Sequence, residues 1–252
     1  MTAAELLATL NLPEVARVER RVPKTLLYEH GAPTAADKRR ISEGIEQLHW
    51  VAALKPTTVG VSEYRDSIRE YVEIAVLHLT FRPGAQASRL VELVHRAVPY
   101  PLLLVAEQGA RVELSVAHKR WSQGEADKTV LDSGVVRVDW NQTGDNPHRA
   151  AFLEALALGR QPRGSLFALY QGWMDTLLAL LAARRTGVFT ASSTADAAHA
   201  RREALQVCDQ LEAEIARLRT AAAKEKQVQR QVELNLELKR VEAVRAAAVA
   251  KL

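Results

Sequence analysis

One cysteine, few aromatic residues and no long hydrophobic run set the first limits on this 252-residue chain. Cys208 stands alone, so neither an internal disulfide nor a cysteine-based zinc site can be built. A membrane-spanning helix needs a run of about 18 apolar residues, and the sequence contains none. The first residues, Met1-Thr-Ala-Ala-Glu5, place no basic stretch ahead of an apolar one. A secretory leader is therefore not expected, and a cytoplasmic setting fits. Charge of one sign is scarce as well. Lys and Arg number 34 against 30 Asp and Glu, a net charge of +4. Residues 1–160 hold 20 of each sign, residues 161–194 three basic and one acidic, and residues 195–252 hold 11 and 9. No segment forms the strongly basic face that nucleic-acid binders present.

Catalytic signatures are equally thin. The chain has no Gly-x-x-x-x-Gly-Lys loop, no Gly-x-Gly-x-x-Gly turn and no Gly-x-Ser-x-Gly elbow. Its seven histidines are scattered, none in a His-x-x-x-His or His-Glu-x-x-His pair, so they read as structural. A restriction-type nuclease needs two carboxylates and a lysine on adjacent strands around magnesium. The nearest candidates are Glu73, Glu107, Glu113 and Lys119, but the spacing from Glu113 to Lys119 is wrong for that motif. One basic-plus-aromatic cluster remains, Lys119-Arg120-Trp121. It suits a tryptophan covering a sheet edge beside solvated cations, or else a stacked base and a phosphate.

What is present is architecture. Residues 3–10 form a short helix, and residues 21–29 read as extended chain. Thr34 is the N-cap of a helix over 35–53, whose apolar face is Ile41, Ile45, Leu48 and Ala52. A short strand is expected at 57–61 and a clear one at 71–81, stopped by Arg82-Pro83-Gly84. A helix over 85–97 follows, then a hairpin of 102–107 with 111–118 about Gln108-Gly109-Ala110. Another strand pair is expected in 128–140, split near Ser133-Gly134. A helix joining two strands implies a parallel or split crossover, with hairpins extending the sheet in antiparallel fashion, so residues 1–143 read as an α+β domain: a mixed sheet with flanking helices.

Gly144-Asp145-Asn146-Pro147 punctuates the chain and opens a helical region over 144–190, with helices at 147–159 and 164–185. Ser192-Ser193-Thr194 leads into residues 195–252, which contain neither Gly nor Pro. Read as one helix, that segment would be about 85 Å long. Cys208, Leu211, Ile215, Leu218 and Ala222 form a heptad seam of about two heptads. The seam then stops. A second stripe, Leu234, Leu238, Val241, Ala248 and Leu252, lies on another side, and Val228, Val232 and Leu236 on a third. A helix apolar on two sides must be contacted on two sides. Either it wedges between a neighbouring helix and its own domain, or it is a docking surface for another protein. The candidate partner-binding residues are therefore Leu211, Ile215, Leu218, Val232, Leu234, Leu236, Leu238 and Val241. Self-association through the 208–222 seam is compatible with this.

Several segments resemble one bacterial family. They are Arg21-Val-Pro-Lys24, Leu54-Lys55-Pro56, Ala97-Val-Pro-Tyr-Pro-Leu-Leu-Leu104, Ala117-His-Lys119-Arg120, Val138-Asp-Trp140 and, most specifically, the segment 225–239. The family is the domain of unknown function DUF4391, and the resemblance spans nearly the whole chain. It implies a setting rather than a reaction: members are often encoded beside SNF2-type helicases and DNA methyltransferases in restriction or phage-defence islands. It assigns no catalytic residue. The expected function is a non-enzymatic accessory or adaptor subunit that needs no cofactor or metal. Its C-terminal helix would dock a helicase or methyltransferase. The alternative is a nucleic-acid-binding module or weak metal-dependent nuclease acting through Lys119, Arg120 and Trp121.

Overall fold

The computed structural model describes residues 2–125, 128–132, 134–140, 147–191 and 195–252. The expected punctuation at 144–146, the split at Ser133 and the start at 192–194 lie outside the described residues. The chain divides into two compact units, Met1–Leu177 and Leu178–Leu252. The division falls inside a helix, Leu166–Thr186, rather than at a loop near residue 143.

The first unit is α+β. Its main sheet has six strands in the order β1-β2-β5-β6-β7-β10: β1 (Arg17–Arg21), β2 (Ile45–Leu54), β5 (Ile74–Phe81), β6 (Leu102–Gln108), β7 (Arg111–Val116) and β10 (Val136–Asp139). Only β5 and β6 run parallel, joined by the crossover helix α5 (Ala87–Ala97). Two small ribbons flank the sheet: β3 (Tyr64–Arg65) with β4 (Glu70–Tyr71), and β8 (Lys119–Trp121) with β9 (Thr129–Leu131). The strand pair expected within 128–140 is thus split between two sheets, β9 going to β8 and β10 to β7.

One face of the sheet carries α2 (Lys24–His30), α3 (Ala35–Gly44) and α5. Leu90, Val91, Leu93 and Val94 of α5 are at most 1% exposed, packed on Ala75, Leu77, Leu79, Leu102 and Leu104. Burying each such side chain is worth about 1.5–3 kcal/mol. Gly31 ends α2 where a Cβ would lie 2.6 Å from Ala97 Cβ and 2.7 Å from Leu93 O, so only glycine lets α2 approach α5 this closely. α1 (Ala3–Thr9), closed by a Thr2–Glu5 capping box, packs against β6 and α6 (Arg149–Leu156).

Three local expectations are corrected. Residues 24–30 are helical, not extended, because Pro23 supplies the N-terminal cap position and Leu27 anchors the turn in the core. The helix capped by Thr34 stops at Gly44, and residues 45–54 are strand. Bulges between Ile45 and Gln47 and between Trp50 and Ala52 shift the pleat by one residue each. Ile45 and Leu48 therefore share one core face at a spacing of three, which mimics a helix. Residues 56–59 form a single helical turn, α4 (Pro56–Val59), closed by Gly60 at φ 64°.

The second unit starts within α7 (Leu166–Thr186), the one helix among the described residues long and apolar enough to cross a membrane; 67% of its most apolar window is buried. The C-terminal segment is not one rod. α8 (Ala195–Lys224) and α9 (Val228–Val249) fold into an antiparallel hairpin turning at 225–227. No Gly or Pro makes this turn. Glu225 Oε1 accepts the backbone N–H groups of Lys226 at 2.8 Å and Gln227 at 2.9 Å, and Gln231 Nε2 donates to Ala222 O at 3.3 Å. Side chains thus replace the missing helical hydrogen bonds. Arg219–Glu242 at 2.7 Å and Arg245–Glu212 at 2.9 Å tie the two helices across their length.

Candidate functional site

Lys119, the first residue of the proposed nucleic-acid cluster, is not on the surface. It is 1% exposed, and its Nζ donates to His95 O at 2.5 Å and to Val98 O. It is a cation placed on the free carbonyls at the C-terminus of α5, where the helix dipole is negative. Burial lowers its amine to about 8. Burial, with Lys119 and Arg137 nearby, also holds His95 down to about 3, so that ring is neutral and pairs through Nε2 with Ser115 Oγ at 3.0 Å. Arg120 turns to Asp132 at 3.4 Å and to Trp121 O at 3.1 Å, while Trp121 is half-buried and its backbone N–H joins Ile68 O. The cluster holds the β8 ribbon against the sheet, and the phosphate-contact assignment of Lys119 is corrected.

Beside it runs a buried hydrogen-bond chain. The Tyr71 hydroxyl donates to His118 Nδ1 at 2.5 Å, His118 Nε2 donates to Gln171 Oε1 at 2.8 Å, and Gln171 Nε2 donates to Asp175 Oδ1 at 2.7 Å. The directions follow from the amide, whose oxygen must accept from a protonated Nε2. Tyr170 closes the cluster, accepting Ala117 N–H at 2.8 Å and lying 2.8 Å from Leu102 O. Both nitrogens of His118 serve this network, which fastens the start of α7 to β4 and the β7–β8 connection.

The carboxylates considered for magnesium do not converge. Glu73 pairs with Lys55 at 3.0 Å, Glu113 is held bidentately by Arg137 at 2.7 Å, and Glu107 accepts from Thr80 at 3.2 Å beside His78 Nε2 at 3.1 Å. Among the described residues no group of three metal-ligating side chains comes together.

The hairpin of the second unit sorts its apolar residues sharply. Cys208 and Leu218 are fully buried, Ile215 and Ala222 nearly so, and Leu211 is half-buried. Burial pushes the Cys208 thiol up, as for a small core residue rather than a nucleophile. Leu234, Leu238 and Val241 are half-buried on the side of α9 that meets this seam. The seam and the second stripe are therefore each other's partners, and the seam is not the surface left for a second copy of the chain. On the opposite side of α9, Val228, Val232 and Leu236 follow at steps of four and are 74%, 52% and 55% exposed. Val244, 55% exposed, continues the row two four-residue steps further on, beyond Arg240. Of the eight candidate partner-binding residues, the structure brings only Val232 and Leu236 to open surface. Val228 and Val244 belong with them. The signal for both was the four-residue step itself, which runs from Val228 through Val232, Leu236 and Arg240 to Val244.

The DUF4391 profile, a domain of unknown function, matches residues 10–244. The chain belongs to the DUF4391 family. The match takes in the mixed sheet, α7 and nearly all of the hairpin, so both units belong to the family's domain in this member. No curated protein and no solved structure matches the chain.

Proposed function

We propose that this DUF4391 member is a non-enzymatic adaptor of a cytoplasmic restriction or phage-defence system. Its hairpin is the docking element, and the outward row of α9 receives one helix of a helicase or DNA methyltransferase. The observation that carries this reading is the row Val228-Val232-Leu236, which with Val244 holds four of the five large apolar side chains exposed on the hairpin among the described residues; Val207 on α8 is the fifth. A straight row at four-residue steps, about 12 Å long, matches the apolar stripe of a single helix. Arg240 stands on the row itself, between Leu236 and Val244, with Glu233 to one side and Lys239 to the other, none ion-paired among the described residues. Mixed unpaired charges beside an apolar row are what a partner helix needs to fix register.

The test is co-expression with a helicase and a DNA methyltransferase from the same genome. Wild-type chain co-purifies with one of them. The double change Val232→Glu with Leu236→Glu, both on exposed positions, removes the complex while leaving circular dichroism unchanged. Retention of the complex by the double variant, or no complex with either protein, refutes the reading. The nuclease alternative has no comparable support, since each of its carboxylates is engaged elsewhere.

A further inference from the structure

A groove in the first unit lies beside the edge strand β1. Two adjoining cavities, of about 650 and 440 Å³, share Val22, Leu26, Trp50 and Tyr100 as walls, so they form one continuous trough. That volume is in the range of small-ligand sites. Its floor is apolar: Leu27, Leu77 and Val98 are at most 8% exposed, and Leu26 at the lip is 44% exposed. Trp50 and Tyr100 are both half-buried, with centroids 6.4 Å apart and planes at 58°, an open V that leaves ring faces accessible. Trp50 Nε1 is already spent on Ala52 O at 2.9 Å, so this wall offers a face rather than a hydrogen-bond reader.

The charges give the trough a direction. Lys55 neutralises Glu73 at 3.0 Å, Lys128 neutralises Glu125 at 2.8 Å, and Arg96 is committed to Glu92 at 2.6 Å. Arg20 and Arg21 line the second cavity and have no acidic partner among the described residues. Glu29 stands at the far end, in the first cavity. An anion therefore belongs at the β1 end, with an uncharged body reaching toward Trp50 and Tyr100.

We propose that this trough binds a nucleotide unit, its base against Trp50 and Tyr100 and its phosphate on Arg20 and Arg21. Two π faces favour a planar base over an aliphatic chain, and stacking without edge readers tolerates any base. The unit can come from a free nucleotide or from the end of a single strand. The site lies in the first unit and is independent of the α9 row, so either can fail alone.

The test follows tryptophan fluorescence of the full-length chain. Titrants are adenosine monophosphate, adenosine, decanoate and a short oligo-deoxythymidine. Saturable quenching by the monophosphate marks the free nucleotide as the source; quenching by the oligonucleotide alone marks the strand end. In either case Trp50→Leu removes most of the quenching. Arg20→Ala with Arg21→Ala, both exposed, weakens binding at least tenfold without changing the melting temperature, and adenosine binds at least tenfold more weakly. The proposal is overturned by the absence of saturable quenching with both phosphate-bearing titrants. Equal binding of decanoate, or full affinity in the double arginine variant, overturns it too.

Discussion

Replacing Lys119 with alanine is expected to lower the stability of the chain by about 3–5 kcal/mol at pH 7. The change empties a fully buried position and leaves His95 O and Val98 O without their donor at the end of α5. Lys119→Met separates charge from volume. In the unfolded chain the amine titrates near 10.5, and in the folded chain burial brings it to about 8. Between those values the unfolded state holds one proton more, so unfolding free energy rises with pH. A separation of this size corresponds to a gain of about 3 kcal/mol across the window. The wild-type chain is therefore stabilised as pH rises from 8 toward 10.5, and Lys119→Met loses that rise. Urea titrations at a series of pH values measure both effects. A loss under about 1 kcal/mol for Lys119→Ala, or an unchanged slope for Lys119→Met, would show that the amine is not buried on those carbonyls.

The second large effect concerns the hairpin. Leu218→Glu puts a carboxylate at a position with no exposure, facing the stripe of α9. An unpaired charge is not accommodated there, so α8 and α9 separate at that level. Limited trypsin digestion is expected to cut at Arg217, Arg219 and Arg240 at least tenfold faster than in the wild type. The same chemical change at Leu236, on the open side, leaves the digestion rate within about twofold because it removes no intramolecular contact. Equal sensitivity at both positions would contradict the assignment of faces.

Much of this architecture was legible in the sequence because its signals are local. Thr34 caps its helix with the expected bond to Asp37 N–H, and the β6–β7 hairpin turns about Gly109 at φ 58°. The order of strand, helix and strand leaves a parallel or a split crossover, and β5 and β6 take the parallel one through α5. What was misread depends on distant residues. The helical spacing of Ile45 and Leu48 arises from bulges against β5, which no window along β2 reveals. Lys119 looked like a surface cation because its acceptors lie more than twenty residues away, at the end of α5. The C-terminal segment gave a further lesson. Its apolar stripe changes sides near residue 225, yet without Gly or Pro the segment reads as a single helix, and the turn emerges only in the structure. A straight helix cannot bury both stripes against one another; a hairpin can. Once they meet, the large apolar side chains of α9 left exposed among the described residues are those of the third row together with Val244, and the candidate site contracts to them.

The most direct measurement is the reactivity of a thiol installed on that row. Val232→Cys is labelled with a maleimide in the isolated chain and in the presence of the proposed helicase or methyltransferase partner, with native Cys208 as the buried internal standard. The account predicts fast labelling in the isolated chain, at least tenfold above Cys208, and at least tenfold protection in the complex. Protection of the new thiol in the isolated chain, or unchanged labelling when the partner is bound, would contradict it.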